Sequence, residues 1–121
     1  MNVVNWFELP ATDLARAKAF YEAVFGIPLM HMDMGPSSME MFPSEPGGPN
    51  AGGALVVGEG YEPCATGPTV YFATPDIEAT LAKVAAAGGT VMFPKMSIGE
   101  HGFIAHFVDS EGNRVALHSM Q

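Results

Sequence analysis

The side chains of this chain that could do chemistry are few: four histidines, and one glutamate close to the only tryptophan. Imidazoles ligate metals and transfer protons near neutral pH, and a carboxylate can act as a base or attract a cation. Glu8 follows Trp6 by two residues, so in an extended segment the two side chains share a face. The spacing of the histidines is uninformative on its own; they are His31, His101, His106 and His118. The elements that contain these residues must therefore decide which of them converge.

Composition and charge narrow the classes of function. The chain has 121 residues, 48% of them hydrophobic, so we expect one globular domain with its own core. A formal charge of −8 with only five Lys and Arg argues against a nucleic-acid partner and against binding to an anionic membrane surface. Cys64 is the only cysteine, which excludes an internal disulfide and a cysteine-based metal cluster. Because neither a signal peptide nor a membrane-spanning run is evident, we expect a cytoplasmic protein.

The stretch from Asn5 to Gly26 predicts a strand, a tight corner and an amphipathic helix. Apolar and β-branched residues favour a strand over Val3–Leu9, and Pro10 removes a backbone donor where that strand would end. Thr12 and Asp13 offer side-chain oxygens to the first N–H groups of a helix. Gly26 can close the helix in the left-handed conformation. Its apolar residues recur at helical spacing; they are Leu14, Ala17, Phe20, Tyr21, Val24 and Phe25.

The same pattern is repeated in the second half of the chain. Asp76 lies as far from Asp13 as Gly89 lies from Gly26, and each pair occupies equivalent places in its unit. We therefore predict one domain over residues 1–121, made of module 1 (1–58), a linker (59–67) and module 2 (68–121). The predicted fold class is α+β, with two tandem βαβββ modules that form a curved, cup-like mixed sheet and with the helices on its outer face. The strands of the second module are predicted over residues 68–74, 90–94, 103–108 and 114–119.

Three motifs follow one another along the chain. The first is Trp-Phe-Glu-Leu-Pro-Ala-Thr-Asp-Leu, which is followed by Phe-Tyr inside the first predicted helix and Phe-Gly at its end. The second is Pro-Asp-Ile at the start of the second predicted helix, with Gly-Gly after that helix. The third is Phe-x-Asp-x-Glu-Gly-Asn, before the last predicted strand. Together they resemble the vicinal oxygen chelate superfamily, which includes glyoxalase I, resistance proteins of the bleomycin and fosfomycin types, and extradiol dioxygenases. The resemblance covers essentially the whole chain. It implies a homodimer, because members of this length commonly build their cup from paired modules.

Metal-dependent members of that family hold a divalent ion with His, Gln and Glu side chains from four strands. The resemblance places the corresponding positions at Trp6, Val70 and Ala116, and at or beside Gly53 and Ala54. None of these side chains binds a metal ion. We therefore predict no metal at the family position and no cofactor.

The family positions also assign strand faces, because residues two apart in a strand point the same way. On this basis Trp6 and Glu8 face the cup from the first strand. Val70, Phe72 and Thr74 face it from the fifth strand, and Arg114, Ala116 and His118 from the last. His106 can face either way, while His31 and His101 resemble ordinary strand and loop residues. The predicted ligand-binding residues are Trp6, Glu8, Phe72, His106, Arg114 and His118.

Methionines are concentrated in the predicted second and third strands. There they alternate with polar residues, so we expect some of them to line the cup and others to pack under the helix; they include Met30, Met32, Met34, Met39 and Met41. An aromatic group, thioethers and a few polar side chains are typical of an adaptable small-molecule pocket. A solid core is the competing interpretation for Trp6.

Three hypotheses of function remain open. The leading one is a glyoxalase- or bleomycin-resistance-like protein that binds a small molecule and lacks the family metal ligands. The second is a metal-independent lyase or isomerase that uses Glu8 or His118 as acid and base. The third is a metal-dependent lyase or dioxygenase with relocated ligands.

Overall fold

The first helix forms where its capping residues predict it. In the computed structural model, which describes residues 3–45 and 48–121, strand β1 (Trp6–Pro10) leads into helix α1 (Leu14–Phe25). Asp13 caps the helix, since its side chain accepts a hydrogen bond from the backbone N–H of Arg16 at 3.0 Å. Gly26 ends the helix in the left-handed conformation, with φ 65°. The structure confirms both predicted caps.

The other elements complete two modules with the order β-α-β-β-β. Module 1 continues with β2 (Met30–Met34), β3 (Ser37–Met41) and β4 (Gly52–Val57). Module 2 contains β5 (Tyr71–Ala73), α2 (Ile77–Ala86), β6 (Thr90–Ser97), a 3-10 turn (Gly99–His101), β7 (Phe103–Val108) and β8 (Arg114–Ser119). Residues 1, 2, 46 and 47 of the predicted first module lie outside the described residues.

Each module forms its own four-stranded mixed sheet. Sheet A has the strand order β1-β4-β3-β2, and sheet B has the order β5-β8-β7-β6. The first and last strands of each module pair in parallel, and the other neighbours are antiparallel. The predicted α+β fold of two tandem modules is confirmed, although the strands form two separate sheets and not one continuous sheet.

The ends of β1 and β6 differ from the sequence prediction, and both differences involve proline. Pro10 belongs to β1 and Pro94 lies inside β6, whereas the sequence predicted an end at each proline. Both strands lie at the edge of their sheet, where a missing backbone donor need not leave a partner unsatisfied. The register of β6 also shifts on either side of Phe93, which marks an irregular edge.

The helices pack between the two sheets and join them into one core. Helix α1 packs on β3 and β4, while α2 packs on all three of β6, β7 and β8, and the helices also contact each other. The ring of Phe20 lies 6.1 Å from that of Phe107 in β7. The hydroxyl of the buried Tyr21 donates to the carboxylate of Asp109 at 2.6 Å. The Phe-Tyr pair of the first helix therefore packs against the second module as well as its own.

A carboxylate from the second module caps the first helix. Glu111, in the turn before β8, accepts hydrogen bonds from the backbone N–H groups of Thr12 and Asp13 at 2.9 Å each. It also forms an ion pair with Arg16, with 2.6 Å between Nε and Oε2. Burial alone would raise the pKa of Glu111, but these hydrogen bonds lower it to about 2. The turn that begins at Asp109 thus fixes the two modules to each other.

Among the described residues, none of the helices combines the length and the apolar character needed to cross a bilayer.

Candidate functional site

One face of each sheet is turned away from the helices and the shared core. In β1, Phe7 and Leu9 pack into that core, whereas Trp6 and Glu8 point the other way. In β8, Val115 and Leu117 belong to the core, so the alternate residues of that strand point away from it. We call these two surfaces the open face of sheet A, which contains Trp6 and Glu8, and the open face of sheet B, which contains Arg114, Ala116 and His118.

Glu8 is the centre of a hydrogen-bonded group on the open face of sheet A. The indole N–H of Trp6 donates to Oε2 of Glu8 at 3.2 Å, and the hydroxyl of Tyr61 donates to Oε1 at 2.9 Å. Trp6 remains 43% exposed, and Glu8 is exposed as well. The carboxylate is therefore held between two aromatic side chains, and it remains exposed to solvent in the single chain.

All five methionines of β2 and β3 lie on this same open face. In the antiparallel pair of β2 and β3, Met30 is opposite Met41 and Met32 is opposite Met39. On its other side Met39 is opposite Val56 of β4, and these two residues belong to one small hydrophobic cluster. A cavity of about 310 Å³ lies between Trp6, Met30 and Met41. The expectation that some of these methionines pack under the helix is wrong, because the polar residues that alternate with them occupy the helix side.

The polar residues on the helix side form a charge cluster that sequence reasoning missed. His31 is hydrogen-bonded to Glu40 at 2.6 Å and to Asp33 at 3.0 Å. Lys18 of α1 lies 3.6 Å from the buried carboxylate of Glu40. Hydrogen bonds to Glu40 and then to Asp33 raise the pKa of His31. This cluster fixes the edge of sheet A to α1, and none of these groups points toward the open face.

An aromatic residue and a histidine form a pair on the open face of sheet B. The hydroxyl of Tyr71 and Nε2 of His106 are hydrogen-bonded at 3.2 Å, and the ring of Phe93 lies 5.5 Å from the imidazole. Burial and then the nearby charge of Arg114 lower the pKa of His106. Both effects favour the neutral form of the imidazole. His106 thus points to the open face, which the sequence left undecided.

His118 is held in place by a loop carbonyl. Its Nε2 lies 2.7 Å from the carbonyl oxygen of His101, so the imidazole donates at that position. A cavity of about 510 Å³ beside it is also lined by Tyr71, Ile98 and Ile104. His101 contributes its backbone to this arrangement, and its own side chain is exposed.

The predicted face of the fifth strand is wrong by one residue. Tyr71 pairs with Ala116 and Ala73 with His118, so these two residues of β5 share the open face. Phe72 points to the helix side, where its ring lies 4.8 Å from that of Phe25 and 5.4 Å from that of Phe42. Val70 also packs against the core. Phe72 therefore borders a different cavity, of about 510 Å³, at the seam between the sheets.

Apart from Phe72, the predicted site residues divide between the two open faces. Trp6 and Glu8 contact each other on sheet A, while His106, Arg114 and His118 lie on adjacent strands of sheet B. The cavity beside Trp6 and the cavity beside His118 share no lining residue. Sequence reasoning missed Tyr71 and Tyr61, because one lies on the misassigned strand and the other lies in the linker.

The side chains at the carried-over metal positions do not fit a divalent ion. Trp6 presents an indole to the open faces and Ala54 and Ala116 present methyl groups, while Val70 packs against the core. A hard or borderline divalent ion requires carboxylate or imidazole ligands, which these positions lack. Within residues 3–45 and 48–121, no three His, Cys, Asp or Glu side chains are grouped so that they could hold a metal ion.

Comparison with known proteins gives a consistent result. Residues 3–117 match the family model described as the Glyoxalase/Bleomycin resistance protein/Dioxygenase superfamily. A glyoxylase-like domain-containing protein from Didymella fabae is 30% identical over 125 residues, which cover 94% of this chain and 91% of that protein. CFP32 of Mycobacterium tuberculosis is also 30% identical over 126 residues, or 93% of this chain, but the chain spans only 44% of its length.

Solved structures show the same fold at lower identity. The E144Q variant of glyoxalase I from Zea mays has a TM-score of 0.73 at 22% identity, over 96% of this chain and 46% of that one. A glyoxalase/bleomycin resistance protein from Albidiferax ferrireducens T118 has a TM-score of 0.70 at 20% identity, over 96% of this chain and 97% of that one. At this identity the likeness concerns the fold alone.

Proposed function

The chain belongs to the glyoxalase/bleomycin resistance protein/dioxygenase superfamily, and we propose that it is a small-molecule-binding member that works without the family metal. One observation supports this most directly. On each open face an aromatic side chain is hydrogen-bonded to a titratable group: Trp6 to Glu8 on sheet A, and Tyr71 to His106 on sheet B. Convergent polar groups among exposed aromatic residues are typical of a ligand site.

We further propose that the two open faces meet in a homodimer. They belong to separate sheets on opposite sides of the helix layer, so one chain does not close a pocket between them. A second copy that places its sheet B over sheet A of the first would enclose both aromatic pairs. The faces are complementary in charge, since Glu8 lies on one of them and Arg114 on the other. By symmetry the dimer would contain two such pockets.

The proposed ligand is a small aromatic or apolar molecule with a polar or cationic group. Trp6 and the adaptable thioethers would accept its apolar part. Glu8 would accept hydrogen bonds from, or attract, its polar end, in keeping with a formal charge of −8 for the whole chain. On sheet B, neutral His106 and charged Arg114 would contact the opposite end.

An acid–base enzyme is the second candidate, and the Tyr71–His106 pair favours it. A neutral imidazole hydrogen-bonded to a phenol can accept and return a proton without a metal. In the sequence-based version of this hypothesis the acid and base were Glu8 or His118. Glu8 is exposed in the single chain, and Nε2 of His118 is occupied by the carbonyl of His101, so His106 is the better placed base.

A fluorescence titration tests the proposed function. Trp6 is the only indole, so its emission reports occupancy of the open face of sheet A directly. We expect a saturable change with at least one member of a panel of aromatic and cationic small molecules. Glu8→Gln should weaken the binding of cationic members, while Glu78→Gln, which changes an exposed carboxylate on helix α2, should leave it unchanged. A panel that leaves the emission of Trp6 unchanged would contradict the proposal.

A further inference from the structure

The methionine face is the group of five thioethers formed by Met30, Met32, Met34, Met39 and Met41. It contains five of the nine methionines in the chain, on two adjacent strands. Directly opposite residues in an antiparallel pair have Cβ atoms about 4.5–5.5 Å apart, so the side chains of facing methionines can meet. Methionine has three flexible side-chain torsions, which allow sulfur atoms from neighbouring positions to converge on one point.

Packing explains only part of this face. Met39 is buried, but Met30, Met32 and Met34 are 66%, 39% and 50% exposed. Exposed methionines on a strand add little to a core, and β-branched residues would suit the strand better. The hydroxyl of Ser37 shares this face, whereas the imidazole and carboxylates of β2 and β3 lie on the other side, bonded to one another. Thioether sulfur is therefore the main donor that this part of sheet A offers to a ligand.

We propose that the methionine face binds a soft monovalent metal ion, Cu(I), through thioether sulfur. Soft, uncharged thioethers select Cu(I) and do not compete for hard or borderline divalent ions. The two facing pairs, Met30 with Met41 and Met32 with Met39, supply four sulfur atoms from one sheet of one chain. The formal charge of −8 favours the approach of a cation. This site is separate from the family metal position, and it requires neither a dimer nor an organic ligand.

Trp6 provides a local signal for the metal. It lines the same cavity as Met30 and Met41, so an ion bound there should quench its emission. Cys64 is an exposed free thiol that would bind Cu(I) and Ag(I) more tightly than any thioether, so every protein in the experiment contains Cys64→Ser.

The experiment titrates this protein with Ag(I), a redox-inert probe, in chloride-free buffer, and with Cu(I) under ascorbate against a Cu(I) chelator. We expect about one equivalent of either ion to bind, with quenching of Trp6, and no binding of Zn(II) at the same concentration. The double variant Met30→Leu/Met41→Leu removes the two sulfur donors that line the cavity with Trp6 at nearly constant volume, so it should weaken the affinity by roughly tenfold or more. Met96→Leu is the matched control, since Met96 is 46% exposed on the other sheet.

The proposal would be overturned by no uptake of Ag(I) or Cu(I), by an affinity unchanged in the double variant, or by an equal loss in Met96→Leu. Equal affinity for Zn(II) would also contradict it, because the donors would then not be thioethers. Metal uptake is measured without any organic ligand, and the organic titration is run without any added metal. Failure of the metal site and failure of the proposed organic pocket are therefore observed separately.

Discussion

The indole N–H of Trp6 donates to the carboxylate of Glu8 at 3.2 Å, two residues further along the same strand. This contact leaves both side chains open to solvent on the face of sheet A that the helices do not cover. Tyr71 and His106 repeat the arrangement on sheet B, although they come from β5 and β7, which lie on either side of β8. The proposed function depends on these two pairs.

Trp6→Phe should have little effect on folding. The side chain is 43% exposed and its polar partner is exposed too, so we expect a loss of no more than about 1 kcal/mol in the free energy of unfolding. A packed core aromatic would lose about 3–5 kcal/mol on truncation. Urea melts followed by circular dichroism distinguish the two cases. A loss of about 3–5 kcal/mol would mean that Trp6 is a core residue.

Phe72→Ala should destabilise the protein, whereas Tyr71→Ala should not. Phe72 packs against a cluster of aromatic rings on the helix side, and its truncation is expected to cost about 3 kcal/mol. Tyr71 is its neighbour on the opposite face and is 48% exposed, so it is the matched control. Equal stability of the two variants in urea melts would show that Phe72 is not a core residue, and the prediction that it lines the pocket would stand.

Glu111→Gln should destabilise the protein by about 1–3 kcal/mol, because hydrogen bonds from Arg16 and from the helix N-terminus lose their charged acceptor. The folded-state pKa of about 2 lies below the ordinary value of 4.5, so this stabilisation is present above pH 4.5 and is lost as the pH falls toward 2. The difference in unfolding free energy between wild type and Glu111→Gln should therefore shrink on acidification. A difference that is constant from neutral pH to about pH 2 would contradict the lowered pKa.

His31 should contribute to stability on the acidic side of neutrality. Its pKa is raised above the ordinary 6.5, so the contribution is complete below that value and disappears as the pH rises through the folded-state pKa. NMR titration of the imidazole should give a pKa above 6.5 in the wild type and a lower one in Asp33→Asn, which removes one of its two carboxylate partners. An unchanged pKa in Asp33→Asn would show that this partner does not act on His31.

Local signals in the sequence were sufficient for much of the fold. Asp13 and Gly26 predicted the ends of α1, and the turn from Asp109 to Asn113 forms with Gly112 at φ 101°. The face of β1 followed from the family resemblance, which places Trp6 at a position that faces the cup, and residues two apart in a strand, such as Trp6 and Glu8, share a face.

The face of β5 and the contacts made by Tyr61 and Glu111 depended on tertiary structure, which local sequence patterns do not predict. In β5 the aromatic residues Tyr71 and Phe72 occupy both faces, so alternation does not reveal which of them is outside; the pairing with β8 decides it. Tyr61 contacts Glu8 from the linker, 53 residues away in sequence. Glu111 caps a helix that begins almost a hundred residues earlier, at a sequence separation of 98 from Asp13.

Subunit mixing tests the central claim, a ligand pocket shared between two copies, most directly. Trp6→Ala has no indole, so it is silent in fluorescence, and Tyr71→Ala keeps Trp6 but lacks the aromatic group of sheet B. Each variant alone should fail to respond to a ligand that perturbs wild-type emission. In a mixed dimer the only Trp6 would face the intact sheet B of the other chain, so an excess of Trp6→Ala should restore the response of Tyr71→Ala. A pocket built within one chain would give no restoration at any ratio, and that result would contradict the shared pocket.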